Sequence, residues 1–285
     1  MSALCRLVGV NRLKYYRAKK AKSEDKALAE QVISLVQPIR QKMPRIGTRK
    51  LYYLLQESLK RLKVGRDKLF KILRANGMLI KPTRSYHVTT NSHHRFRKHK
   101  NKIDQLEIDR PEQVWVSDIT YIGTRSNPMY LALITDAYSK KIMGYDVSDS
   151  LSAQGAVRAL KMAIKKRLYS GKDLIHHSDR GLQYCCNDYQ ELLLKNKISC
   201  SMTETYDPYA NAIAERINGI LKQEFIGKFK NQKLSLMKKI VAQSIIIYNQ
   251  LRPHLSCKML TPKEMHLQQE VKMVSYKNRR LEASL

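Results

Sequence analysis

No Cys-x-x-Cys pair occurs in the 285 residues, and the five cysteines, Cys5, Cys185, Cys186, Cys200 and Cys257, form an odd set. Neither a disulfide framework nor a paired-thiol zinc site is suggested, and a reducing, cytoplasmic compartment is expected. Long apolar runs are also missing. No stretch approaches the roughly 18 uninterrupted apolar residues of a membrane span, and the opening "MSALCRLVGVNRLKYYRAKK" interleaves charge with its apolar residues. No repeat is visible at solenoid periods. Acids are scarce: 24 Asp and Glu stand against 54 Lys and Arg, for a net charge of +30 and a pI near 10.0. Such self-repulsion is costly unless a polyanion neutralises it, so nucleic acid is the expected partner. The imbalance is steeper in residues 1–110, with 28 bases and 8 acids, than in 111–285, with 26 and 16.

With 43% hydrophobic residues the chain has enough apolar material for a sizeable core. Its first third reads as short helices. Leu28, Val32, Leu35, Val36 and Ile39 share one helical face after a possible Ser23 cap. Thr48 is placed to cap "RKLYYLLQESLKR", and "GRDKLFKILRANGML" gives a further helix that stops at Asn76-Gly77. Basic helices around a tight connection suggest a helix-turn-helix-like DNA-binding region over 1–80, with Arg45, Arg49, Lys50, Arg66 and Lys68 as candidate DNA contacts. A basic linker over 81–110 follows. Its stretch 81–102 has seven Lys or Arg, four His and no acid, and Arg95, Arg97 and Lys98 are its candidate phosphate contacts.

From Pro111 the texture changes. "QVWVSDITYI", "MYLALITDAYS" and "KKIMGYDVS" read as a three-stranded antiparallel meander, followed by helix, strand, helix, strand and helix. The order βββαβαβα predicts an α/β fold, a ribonuclease H-like mixed sheet covered on both faces, over 111–270 with a basic tail at 271–285. Asp118 is expected to close the first strand and Asp179 the fourth, so that both enter the crevice at the strand ends. Glu215 lies on a helix whose Asn211, Glu215, Asn218 and Lys222 form one polar stripe. Three acids gathered in one place repel one another unless cations compensate, and hard oxygen ligands suit Mg²⁺ or Mn²⁺, two ions in phosphoryl transfer. Cys185 and Cys186 beside His176 and His177 invite a zinc site, but neighbours along a strand point to opposite faces.

The context of the acids narrows the reading. "DITY" at Asp118, "HSDRGLQY" at Asp179, 35 intervening residues and "NAIAERINGILKQEF" at Glu215 resemble the catalytic core of DDE transposases and retroviral-type integrases. The closing "YNQLRPHLSCKMLTPKEM" and the early "RIGTRKLYYLL" resemble the OrfB transposases of bacterial insertion sequences, whose full enzyme is an OrfA–OrfB frameshift product. Thr261, Pro262 and Glu264 in that closing stretch also make a capping box. The resemblance implies metal-dependent DNA cleavage and strand transfer, with Asp118, Asp179 and Glu215 as catalytic metal ligands and Lys222, together with Asn211, near the DNA. It also implies an OrfA partner, a homo-oligomer on DNA, and a nucleoid-associated bacterial chain. Two rivals stay open: a nuclease of the same fold that hydrolyses without joining, and a DNA-binding regulator with an inactive core.

Overall fold

The computed structural model describes residues 7, 9, 11–81, 99–103, 106–203 and 212–268. The chain divides into two compact units, Met1–Pro82 and Thr83–Leu285. The first is helical: α1 (Arg12–Lys42), α2 (Thr48–Leu54), α3 (Gln56–Arg61) and α4 (Arg66–Ala75). Helix α1 begins eleven residues before the expected Ser23 cap. Asn11 is the residue that caps it, its side chain accepting from the Leu13 N–H, and no breaker intervenes before Ser23. The helix also runs on past Ile39, with Arg40 and Lys42 in its last turn, where positive charge meets the free carbonyls. Thr48 is the first helical residue, not the cap. Gly47 holds the cap position, and what reads as one helix over 48–61 is broken at Leu55 into two. Helix α4 ends as expected. Gly77 takes φ +66°, and the Gly77 and Met78 N–H groups return to the Arg74 and Leu73 carbonyls, the pairing that closes a helix on a left-handed residue. Val32, Val36, Leu51, Leu59, Leu69 and Leu73 are fully buried and form this unit's core.

The second unit is built on a five-stranded mixed sheet of order β3-β2-β1-β4-β5. Strands β1 (Val114–Tyr121), β2 (Tyr130–Asp136) and β3 (Ile142–Ser148) form the expected antiparallel meander. Strand β4 (Leu174–Ser178) pairs parallel with β1, and β5 (Ile198–Met202) parallel with β4. Parallel pairing requires crossovers, supplied by α5 (Ala153–Lys165) before β4 and by α6 (Leu182–Cys185) and α7 (Asn187–Lys195) before β5. This is the ribonuclease H-like arrangement that the order βββαβαβα predicts.

Alternation along β1 assigns the two faces. Trp115 and Ile119 pack with Ala156, Leu160, Tyr189 and Leu193 of α5 and α7, whereas Val114 and Val116 pack with Ala137 and with Ala214 of α8 (Ala212–Ile220). Gly144 on β3 lets α5 come close, since a Cβ there would stand 2.0 Å from the Ala159 carbonyl oxygen. The later part of the stretch read as linker lies on the core. Ile103, Leu106 and Ile108 pack beside Val114 and Val116, and the Lys102 N–H donates to Ser201 Oγ, because three apolar side chains in this short stretch gain by burial.

The closing segment is a strap. Helix α9 (Leu234–Leu251) sends Asn249 to the edge strand β3, where its amide accepts from the Ile142 N–H and donates to the Ile142 carbonyl. Tyr248 OH donates to the Lys140 carbonyl, and buried Arg252 makes a two-pronged pair with Glu224 at 2.6 and 2.7 Å. The expected capping box is present at α10 (Pro262–Leu267), with the Thr261 side chain accepting from the Glu264 N–H. No helix among the described residues is long and apolar enough to cross a membrane.

Candidate active site

Asp118 does not close its strand. Strand β1 continues to Tyr121, paired throughout with β2, and what ends near Asp118 is the parallel pairing with β4, whose last partners are Val116 and His177. Asp118 shares the parity of Val114 and Val116, so its side chain belongs to the α8 face of the sheet. Asp179 follows the last residue of β4, and two further steps in the β1–β4 register bring it level with Asp118. Glu215 stands in the first turn of α8, exposed, on the helix whose Ala214 packs against that same face.

Electrostatics tie the three together. Burial pushes the Asp118 carboxyl up to about 7; a hydrogen bond from Asn218 pulls the other way, and the charges of Asp179 and Glu215 add to the rise. Asn218 Nδ2 donates to Asp118 Oδ2 at 2.7 Å from a side chain that is almost fully buried. The Asp179 carboxylate accepts from the Gly181 N–H at 3.0 Å. The Tyr184 hydroxyl is raised well above its ordinary value by burial and then by the charges of Asp179 and Asp118.

Among the described residues no three His, Cys, Asp or Glu side chains close on a point that one ion could occupy. The donor set nevertheless fits a hard divalent cation: carboxylate oxygens from two adjacent strands and a facing helix, one of them desolvated and short of positive partners. The thiols do not compete. Cys185 Sγ lies against Met202 Sδ, Cys186 Sγ against the Gln183 carbonyl, and His176 is held by Ser117 and Tyr189.

Lys222 lies just beyond α8 in a π-helical turn, Leu221–Ile226, the kind of irregularity often found at functional sites. Half-buried, it donates from Nζ to Thr120 Oγ1 at 3.2 Å, two residues along β1 from Asp118. In the helical unit Arg49 is exposed and Lys50 half-buried; half-buried Arg45 donates to the Lys81 carbonyl at 2.6 Å. Arg66 pairs with Asp67 and Lys68 with Asp25. Asn211, Arg95, Arg97 and Lys98 lie outside the described residues. Sequence reasoning passed over the parts that Asn218, Thr120 and Tyr184 play. The first two carried a signal, since Asn218 is one helical turn after Glu215 and Thr120 one strand period after Asp118.

This sheet, with its acids from two parallel strands and a covering helix, defines an integrase-type catalytic core. The family described as integrase core domain matches residues 108–208, and a second of the same description matches residues 196–262. The chain is 31% identical over 259 residues to the insertion element IS600 uncharacterized 31 kDa protein of Shigella sonnei, covering 88% of this chain and 93% of that protein. It is 32% identical over 194 residues to the transposase InsF for insertion sequence IS3A of Escherichia coli, covering 67% of each. Among solved structures, the HTLV-2 integrase catalytic core domain with magnesium is 20% identical at a TM-score of 0.45, covering 55% of this chain and 97% of that one. A simian T-cell lymphotropic virus intasome in complex with PP2A regulatory subunit B56 gamma gives 18% and 0.49, covering 81% and 79%. The chain belongs to the integrase-core transposases of insertion sequences. In this family the integrase core is the part that carries DNA cleavage and integration, and it generally uses a divalent metal.

Proposed function

We propose that this chain cleaves DNA strands at the ends of an insertion element and joins them to target DNA, with Asp118, Asp179 and Glu215 as the acids that hold Mg²⁺ or Mn²⁺, two ions in all. The observation that carries the reading is the state of Asp118: desolvated, raised to about 7, and facing two further carboxylates, against which stand hydrogen bonds from the neutral Asn218 amide and the Ile119 backbone. Divalent ions held by these three acids would supply the charge neutralisation that phosphoryl transfer needs. The chain's own residues do the rest. Asn218 orients the Asp118 carboxylate, the Gly181 N–H fixes that of Asp179, and Lys222, held by Thr120, stands ready for a phosphate of the bound strand.

DNA affinity, on this reading, comes from Arg45, Arg49, Lys50, Arg66 and Lys68 of a helix-turn-helix-like region, from Arg95, Arg97 and Lys98 of the basic stretch, and from Asn211 and Lys222 at the core. An OrfA product supplies recognition of the ends, and the active species is a homo-oligomer on DNA. The test is incubation of purified chain, alone and fused behind OrfA, with a duplex carrying the element's end and Mg²⁺, resolving nicked from joined products. Both products are expected from the fusion. Nicking without joining would instead support a hydrolytic nuclease.

A further inference from the structure

The ladder between β1 and β4 ends at Val116 and His177, and beyond it β1 runs on through Asp118 while β4 leads to Asp179. At this point, on the face of the sheet opposite the acids, three fully buried polar side chains meet. His176 Nε2 lies 2.6 Å from Ser117 Oγ and 2.8 Å from the Tyr189 hydroxyl, and Tyr189 is also hydrogen-bonded to Ser117. Nε2 has one N–H or one lone pair, according to the tautomer, so the two hydroxyls share a single site on the ring, and the Ser117–Tyr189 bond closes the triangle. Ser117 is covalently next to Asp118 and is the first β1 residue beyond the parallel ladder. His176 pairs in register with Trp115, so its bond to Ser117 runs diagonally across the point where pairing stops. Tyr189 brings α7 into the same node.

Around the node the core is apolar, with Trp115, Ile119, Leu174 and Leu193 as neighbours in the cluster. Polar groups in such a place are costly unless bonded, and once bonded they fix one geometry more narrowly than aliphatic packing does. The trio is also uncharged, since burial holds the His176 ring neutral, and so it does not itself attract an ion.

We propose that Ser117, His176 and Tyr189 are positioning residues that fix the end of the β1–β4 ladder and thereby the separation and direction of Asp118 and Asp179. The inference rests on the reading of those acids as metal ligands. Its test is direct Mn²⁺ binding to the full chain without DNA, followed by the paramagnetic resonance signal of the free ion, beside thermal unfolding. Ser117→Ala and Tyr189→Phe should each weaken Mn²⁺ about tenfold, the scale at which residues behind metal ligands act. Tyr248→Phe is the control: it deletes a buried hydroxyl bonded to the Lys140 carbonyl and His254, and should lower stability while leaving Mn²⁺ affinity unchanged. Unchanged affinity in both Ser117→Ala and Tyr189→Phe would overturn the proposal and leave the trio a packing feature. Wild-type affinity in Asp118→Asn would instead overturn the metal reading beneath it.

Discussion

Two acid clusters stand on this one sheet, and they are finished differently. At the start of β1, Glu112 and Asp136 are fully buried and fully answered. Glu112 accepts from the Leu168 and Tyr169 N–H groups, pairs with Arg167 at 3.4 Å and meets His266 Nε2 at 3.3 Å. Asp136 accepts from the Glu112 N–H and from the Ser139 N–H and hydroxyl, with His266 Nδ1 at 3.5 Å. Burial alone would raise Glu112, yet its hydrogen bonds from His266, Leu168 and Tyr169 bring it below the ordinary carboxylate value. Farther along the same strand Asp118 goes the other way, to about 7. A buried acid with its partners supplied holds the fold together; one left short of positive charge is, on the proposed reading, where a cation would bind.

Substitution separates the two most sharply. Asp118→Ala, Asp179→Ala and Glu215→Ala should each reduce cleavage and joining on the order of a thousandfold or more. Folding should be unharmed and DNA affinity kept or raised, since repulsion of phosphate is removed. Gel resolution of nicked and joined products, beside a binding isotherm, reads this, and near-wild-type joining by any one variant would remove that residue from the site.

At the other cluster the loss should be of stability. Glu112→Ala leaves Arg167 and His266 without their shared acid, and breaking a buried pair from one side costs about 3–5 kcal/mol. Denaturant unfolding should show it. A small stability change accompanied by lost cleavage would abolish the distinction drawn between the clusters.

How much of this contrast was legible in the sequence depends on range. The meander, the crossover order, the alternation in β1 and the Thr261–Glu264 capping box are local patterns, and they were readable. The Asn11 cap was equally local and was overlooked in favour of Ser23. That Asp118 sits inside a strand was hidden, because the change is in its pairing partner and not in the pattern of β1 itself. The Glu112–His266 contact joins residues 154 apart, and no spacing rule reaches that far. Local reading therefore found the acids of the candidate site through the motifs around them and missed the acids that hold the fold.

A gentler probe of the answered cluster is pH. Burial alone would lower His266, but its hydrogen bonds to Asp136 and Glu112 outweigh that and hold the ring above its ordinary value of 6.5, with Lys141 opposing. A base raised in the folded state adds stability that is complete below its unfolded value and is lost as pH rises through the folded one. Thermal stability should therefore decline from about pH 6.5 upward, by at most about 1.4 kcal/mol per unit. His266→Gln should remove that slope. The same slope persisting in the variant would assign it to other groups.

The smallest effect tests the cation already present beside the acids of the candidate site. Lys222 is half-buried, and burial lowers its pKa, with Lys230 adding to the fall and Asp118 opposing it. Its bond to Thr120 holds the ammonium on the acid-bearing face of β1, too near Asp118 to be an ordinary solvated lysine and turned to a hydroxyl, not to a carboxylate. If the site is short of positive charge because DNA and its cations bring the rest, this lysine should meet a phosphate, not neutralise an acid. Lys222→Ala should then reduce the slope of log affinity against log salt by about one, the share of a single phosphate contact, with Mn²⁺ binding unchanged. Weaker Mn²⁺ binding with an unchanged salt slope would mean that Lys222 serves the acids themselves, and the second cluster would be better answered than its Asp118 suggests.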